Sequence, residues 1–117
     1  MKIEKKIPIL NDEYSVIFLS GDSIYLKNQC SAWGYPEFDS DRLINTRGLT
    51  IHKPGHHPII MMPRLPNDPD SFATLAHEAC HAVDRVFWAI GDSNRDELFA
   101  HCVAAIVRGV LKIKKRK

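Results

Sequence analysis

At 117 residues the chain is long enough for one hydrophobic core and too short for two, so it reads as a single domain over residues 1–117. An apolar fraction of 44% and a charged fraction of 26% are those of an ordinary globular protein, and a net charge of +2 is too small to select a nucleic-acid or membrane partner. No stretch approaches the run of about 18 apolar residues needed to span a bilayer.

The N-terminus alternates charge with apolar side chains and lacks the apolar core and cleavage site of a secretory leader. Three cysteines, Cys30, Cys80 and Cys102, make no C-x-x-C pair, which suits free thiols in a reducing cytoplasm better than a disulfide framework. Cys80 and Cys102 are expected as small buried hydrophobes.

In chain order, residues 2–10 alternate well enough for a first strand. Asn11, Asp12 and Glu13 form a turn, and the β-branched and aromatic run 14–19 completes a hairpin. After the turn at 20–23, the stretch Ile24, Tyr25, Leu26 reads equally as a short strand or as a helix start. Trp33, Tyr35 and Phe38 stand at near-alternate positions within residues 30–50 and predict a second hairpin, with the aromatics in core and sheet packing. Residues 48–62 read as one further strand, interrupted at His52 to His57. Pro54, Pro58 and Pro63 remove ladder donors, so this strand is expected at a sheet edge, with residues 59–62 open to an extended peptide.

A Pro/Asp/Asn linker at 64–70 precedes a long helix over residues 71–90, capped by Asp68 or Asp70 and ended by Gly91. Phe72, Leu75, Ala76, Ala79, Val83, Val86, Phe87 and Ile90 make it apolar around most of its circumference, which predicts a central helix covered on both sides. Ser93 or Asn94, with Asp96 or Glu97, forms a capping box for a second helix running through Leu98, Cys102, Ala105 and Ile106 toward Gly109. The basic terminus beyond Leu111 is expected to fray.

Within the long helix lies His77-Glu78-Ala79-Cys80-His81, an H-E-x-x-H motif. On a helix, His77 and His81 stand about 40° apart and Glu78 about 100° from His77, so the three share one stripe. Two imidazoles one turn apart supply two of the three protein ligands of a catalytic zinc, and the carboxylate between them is close enough to act on a metal-bound water. Burying these groups on an apolar helix would be costly without a metal to compensate.

The candidates for the third ligand are Glu97, His101, Asp84 and Asp92. Asp84 continues the same stripe and fits better as a hydrogen-bond acceptor for a ligand imidazole. In a tight helical hairpin about Gly91, His81 lies about 13 Å from the turn, Glu97 about 4 Å and His101 about 9 Å, which favours His101. A steep crossing of the two helices favours Glu97, and the residues alone leave the choice open.

The motif, the glycine at position 91 and the downstream Asp96-Glu97-Leu-Phe-Ala-His101 together resemble the gluzincin branch of zincin metallopeptidases, above all its very small single-domain members, including phage-encoded ones. The resemblance covers residues 51–108. It implies that Glu97 is the third zinc ligand, that residues 51–62 supply an edge strand before the active-site helix, and that His101 stands near the metal, as a ligand, as a hydrogen-bond partner of a ligand or as a catalytic donor to the transition state.

The expected architecture is α+β: a small, mostly antiparallel sheet with an edge strand, packed against the H-E-x-x-H helix and a following glutamate helix. The expected function is zinc-dependent hydrolysis of a peptide or protein substrate. His77, His81 and Glu97 hold Zn2+, Glu78 is the general base, and His101 assists. A rival from another class is a metal-stabilised binding or regulatory protein, whose site would be closed by four protein ligands. Nucleic-acid binding through the basic residues 108–117 rests on one terminal charge run, which is more often a solvated helix end, and it is not expected. His52, His56 and His57 are expected mainly as solvated loop residues.

Overall fold

The structure, a computed structural model, describes residues 2–91 and 97–113. It is an α+β fold with element order β1 (Ile3–Ile9), β2 (Tyr14–Ser20), α1 (Ser23–Ala32), a 3-10 turn at Ser40–Leu43, β3 (Leu49–Ile51), β4 (Ile59–Met62), α2 (Pro69–Ile90) and α3 (Glu97–Leu111). The four strands form one sheet in the order β1-β2-β4-β3. Both outer pairings are antiparallel, and the central β2–β4 pairing is parallel.

The first hairpin forms as expected. Its turn places Leu10, Asn11 and Asp12 at φ of 53°, 55° and 68°. Asn and Asp tolerate this left-handed region far better than Leu, so the strain is concentrated at Leu10. Residues 15–20 of β2 are all buried because both faces of the sheet are covered there. Val16 and Phe18 face α2 and α3 together with Ile60 and Met62. Ile17 and Leu19 face the opposite core with Ile59, Met61 and Leu26 of α1. Covering both faces replaces the period-2 alternation of a half-buried strand with a continuous apolar run.

Ile24, Tyr25 and Leu26 belong to a helix, whose start is set by Asp22 accepting from the Tyr25 amide at 2.8 Å. The second hairpin expected over residues 30–50 does not form. Trp33 and Tyr35 follow the end of α1, with the Tyr35 amide bonded back to the Cys30 carbonyl at 2.8 Å. Their near-alternate spacing reflects a chain folding over the core, and Tyr35 and Phe38 are indeed buried in it.

Residues 48–62 form two strands rather than one interrupted strand. β3 lies at the edge, and β4 is internal between β2 and β3. The expectation that 59–62 is the open edge is therefore corrected: Leu49–Ile51 holds that position. Pro54 and Pro58 sit in the loop joining the two strands and Pro63 just follows β4, where no ladder donor is needed, so the prolines mark strand ends instead of a strand edge.

Asp68 caps α2. Its carboxylate accepts from the Ser71 amide at 2.7 Å while the Ser71 hydroxyl oxygen accepts from the Asp68 amide at 3.0 Å. Gly91 closes the helix at φ 71°. α2 is not covered on both sides. Leu75, Ala79, Ala82, Val83 and Val86 pack on the sheet, whereas Phe72, Ala76, Cys80 and Trp88 are exposed. The reason is that α3 lies beside α2 in one layer, over β1, with Phe99 edge-on to Phe87 at 5.5 Å. A Cβ on Gly109 would stand 3.0 Å from Ile7 Cγ2, which shows how closely α3 approaches β1. Cys80 is consequently exposed, contrary to expectation, whereas Cys102 and Cys30 are buried and all three thiols are free. Burial pushes the Cys30 thiol up to about 12.

The capping box expected at Ser93 or Asn94 falls on residues 92–96, outside the described residues, and Glu97 is the first residue of α3. Residues 114–117 of the basic tail also lie outside them. No helix among the described residues is long and apolar enough to cross a membrane.

Candidate metal centre and groove

His77 and His81 project from the side of α2 opposite Ala79 and Val86, and both are exposed. Their Nε2 atoms converge to 3.0 Å, with the ring planes 87° apart. Without a cation, one ring must donate its Nε2–H to the other, because two lone pairs facing each other at this distance repel. Two zinc–nitrogen bonds of about 2.0–2.1 Å at a tetrahedral angle would set the nitrogens about 3.3 Å apart. The pair therefore fits one shared divalent ion after an adjustment of a few tenths of an ångström.

Glu78 points to a different side of the helix. It is 8% exposed, and its Oε1 lies 2.7 Å from the Thr50 hydroxyl of β3. That hydroxyl is also 3.1 Å from the Glu78 carbonyl. Its single hydrogen goes to the carboxylate oxygen, which makes the shorter bond. The close approach of strand and helix depends on Gly48, where a Cβ would meet Thr74 Cγ2 at 2.8 Å and Glu78 Cγ at 3.3 Å. Sequence reasoning missed Thr50 and Gly48. Threonine is an ordinary strand residue and glycine an ordinary strand boundary, so neither stands out until the β3–α2 contact is known.

Glu97 and His101 do not join this centre. They pair loosely with each other at 3.8 Å on α3, with side chains 92% and 77% exposed respectively. His101 borders a different surface depression, beside Leu10 and Asn11 of the first hairpin. Among the described residues, no group of three His, Cys, Asp or Glu side chains is arranged to hold a metal. The expected zinc ligand Glu97 and the expected catalytic His101 are therefore not delivered to the histidine pair. α2 continues for about 13 Å beyond His81, and α3 then returns along its flank instead of across its outer face. Asp84 is half-buried and already has an interaction partner. Asp92 lies outside the described residues.

Between β3 and α2 runs an open groove of about 640 Å3 that brings Glu78 and His81 together with Thr50, His52, Arg85 and Trp88. His52 is half-buried, and burial first, then the charge of Arg85, holds its imidazole below the ordinary range. The other two loop histidines are anchored. His56 Nδ1 lies 3.1 Å from the Pro54 carbonyl and His57 Nδ1 3.2 Å from the Ser15 carbonyl, so Nδ1 carries the hydrogen in each. His57 also packs edge-on to Trp33 and is only half-exposed, which the expectation of a solvated loop did not include.

Compared with known proteins, the chain matches no family model, no curated protein and no solved structure.

Proposed function

We propose that this protein is a zinc-dependent metallopeptidase whose metal is held by His77 and His81 and whose general base is Glu78. The observation that carries the reading is the convergence of the two Nε2 atoms at 3.0 Å, on a helix whose Glu78 is buried but opens on a groove that His81 also borders. A bound zinc would supply Lewis acidity, lowering the pKa of a coordinated water to about 7 and polarising a peptide carbonyl.

The chain's own residues do the rest. Thr50 engages Oε1 of Glu78, so Oε2 is the oxygen left to take a proton from the attacking water and to deliver it to the leaving amine. An extended substrate binds along the open edge of β3, where backbone amides and carbonyls lack a strand partner, and this lays its scissile bond over Glu78. The rival reading, a metal-stabilised binding protein, would close the ion with four protein ligands. Three free thiols fit a reducing cytoplasm.

Glu78→Gln tests the reading. The variant should fold and keep zinc, because the side chain is not a ligand, and should lose at least about 10²-fold in peptide hydrolysis, because an amide cannot accept the proton. Hydrolysis is measured on unfolded proteins or a peptide library, with zinc content measured by elemental analysis. Equal cleavage by wild type and variant would remove Glu78 from the chemistry. Full zinc content in both His77→Ala and His81→Ala would remove the metal centre.

A further inference from the structure

Two guanidinium groups line the groove. Arg42, from the 3-10 turn, and Arg85, from α2, both border the space between β3 and α2. Among the described residues neither side chain has a hydrogen bond or an ion pair. Arg47, just before β3, is different: Asp70 neutralises it at 3.3 Å. Among the described residues the carboxylate bordering the groove is Glu78, which is buried and already engaged by Thr50.

The groove is therefore polar along its length. Glu78 and Thr50 meet within it. Arg85 lies two helical turns further along α2, about 10 Å away, beside His52 at the end of β3. Exposed arginines on a convex surface are ordinary. Two that border one concave groove are not, because its low-dielectric walls concentrate their field and the guanidinium fork matches a carboxylate in two-point geometry. An extended peptide advances about 3.3 Å per residue, so the span from Glu78 to Arg85 corresponds to about three residues.

We propose that Arg42 and Arg85 form a carboxylate-binding subsite, selecting peptides that carry an acidic group about three residues from the bond lying over Glu78. This rests on the reading of the groove as a peptide-binding cleft, and it adds a preference that the histidine pair does not supply.

The test uses the full-length Glu78→Gln protein with zinc, so that bound peptide is not cut. The probes are acetylated, amidated alanine-rich peptides carrying one Glu or one Gln at matched positions, together with an uncharged peptide whose C-terminal carboxylate is free. Binding is read from the fluorescence of Trp88, which is 70% exposed and borders the groove, and from the anisotropy of labelled peptide. The Glu peptide should bind about tenfold more tightly than its Gln counterpart at low salt, and the margin should shrink as salt rises. Arg85→Gln and Arg42→Gln should each reduce that margin, whereas Arg64→Gln, outside the groove, should leave it intact.

Tighter binding by the free C-terminal carboxylate, lost in the same arginine variants, would support the subsite and assign it to a chain end instead of a side chain. Equal affinity for Glu and Gln peptides, no binding of either, or a preference that survives the Arg42→Gln/Arg85→Gln double variant would overturn the proposal. The two readings fail separately. Zinc bound through His77 and His81 without an acidic preference removes only the subsite. An acidic preference in a protein whose zinc content ignores His77 and His81 removes only the metal centre.

Discussion

Two helices of this protein each carry an imidazole and a carboxylate within one turn, and their fates are opposite. On α2, Glu78 is buried and held by Thr50 at 2.7 Å while His81 turns toward His77. On α3, Glu97 and His101 face solvent and pair loosely with each other, at 3.8 Å. The side-chain chemistry is the same. What separates the pairs is a strand: β3 lies against α2 closely enough to desolvate and orient a carboxylate, whereas the Glu97 and His101 side chains stay exposed on α3. A site needs an oriented partner more than it needs a particular residue type, because an exposed ion pair is screened and contributes little.

Four sets of substitutions probe that contrast, in order of decreasing effect. On the proposed metal centre, His77→Ala or His81→Ala should weaken zinc binding by more than about a hundredfold, because each removes a proposed ligand, whereas Glu97→Gln and His101→Ala should leave it within about twofold. Competition with a chromophoric chelator reads both. A hundredfold loss in Glu97→Gln would mean that α3 reaches the metal after all.

Gly48→Ala should come next. The added methyl meets Thr74 and the stem of Glu78, and overpacking of this kind destabilises by about 1–3 kcal/mol, measured by urea unfolding. Glu97→Ala, on the exposed pair, should stay within about 0.5 kcal/mol. Equal effects would indicate that the β3–α2 contact is no tighter than the surface of α3.

Thr50→Val preserves shape and deletes the hydroxyl, so it leaves the buried Glu78 carboxylate short of a donor at a cost of about 1–2 kcal/mol, which Thr50→Ser should largely restore. A Val variant as stable as wild type would show that the bond is unimportant to the fold.

The smallest effect concerns pH. His52 titrates below its ordinary value in the folded protein, through burial first and then Arg85 and His56. As pH falls through about 6.5, the unfolded chain takes up this proton before the folded one does, so stability declines on the acid side. His52→Gln should flatten that part of the stability–pH curve, and an unchanged slope would show that other groups set it.

Much of α2 was legible from local chemistry. Asp68-Pro69 and Gly91 bound the helix from sequence alone because caps act over three or four residues. His77 and His81 meet because i, i+4 neighbours on any helix do. The first hairpin was legible for the same reason. The stretch from Trp33 to Met62 was misread because its signals are ambiguous without partners. Aromatics folding over a core mimic strand alternation, and prolines flanking two short strands mimic prolines within one edge strand.

The sequence by itself determined the motif, its helix and the geometry of the histidine pair, all products of short-range backbone geometry. Only the tertiary structure decided that Leu49–Ile51 is the edge strand, that Thr50 grips Glu78 across Gly48, and that Glu97 and His101 stay solvent-exposed on α3. Those outcomes depend on which strand pairs with β4 and on α3 settling beside α2 over β1. Both are long-range choices, made by burying the shared apolar faces of the sheet and its helices rather than by any residue within the motif.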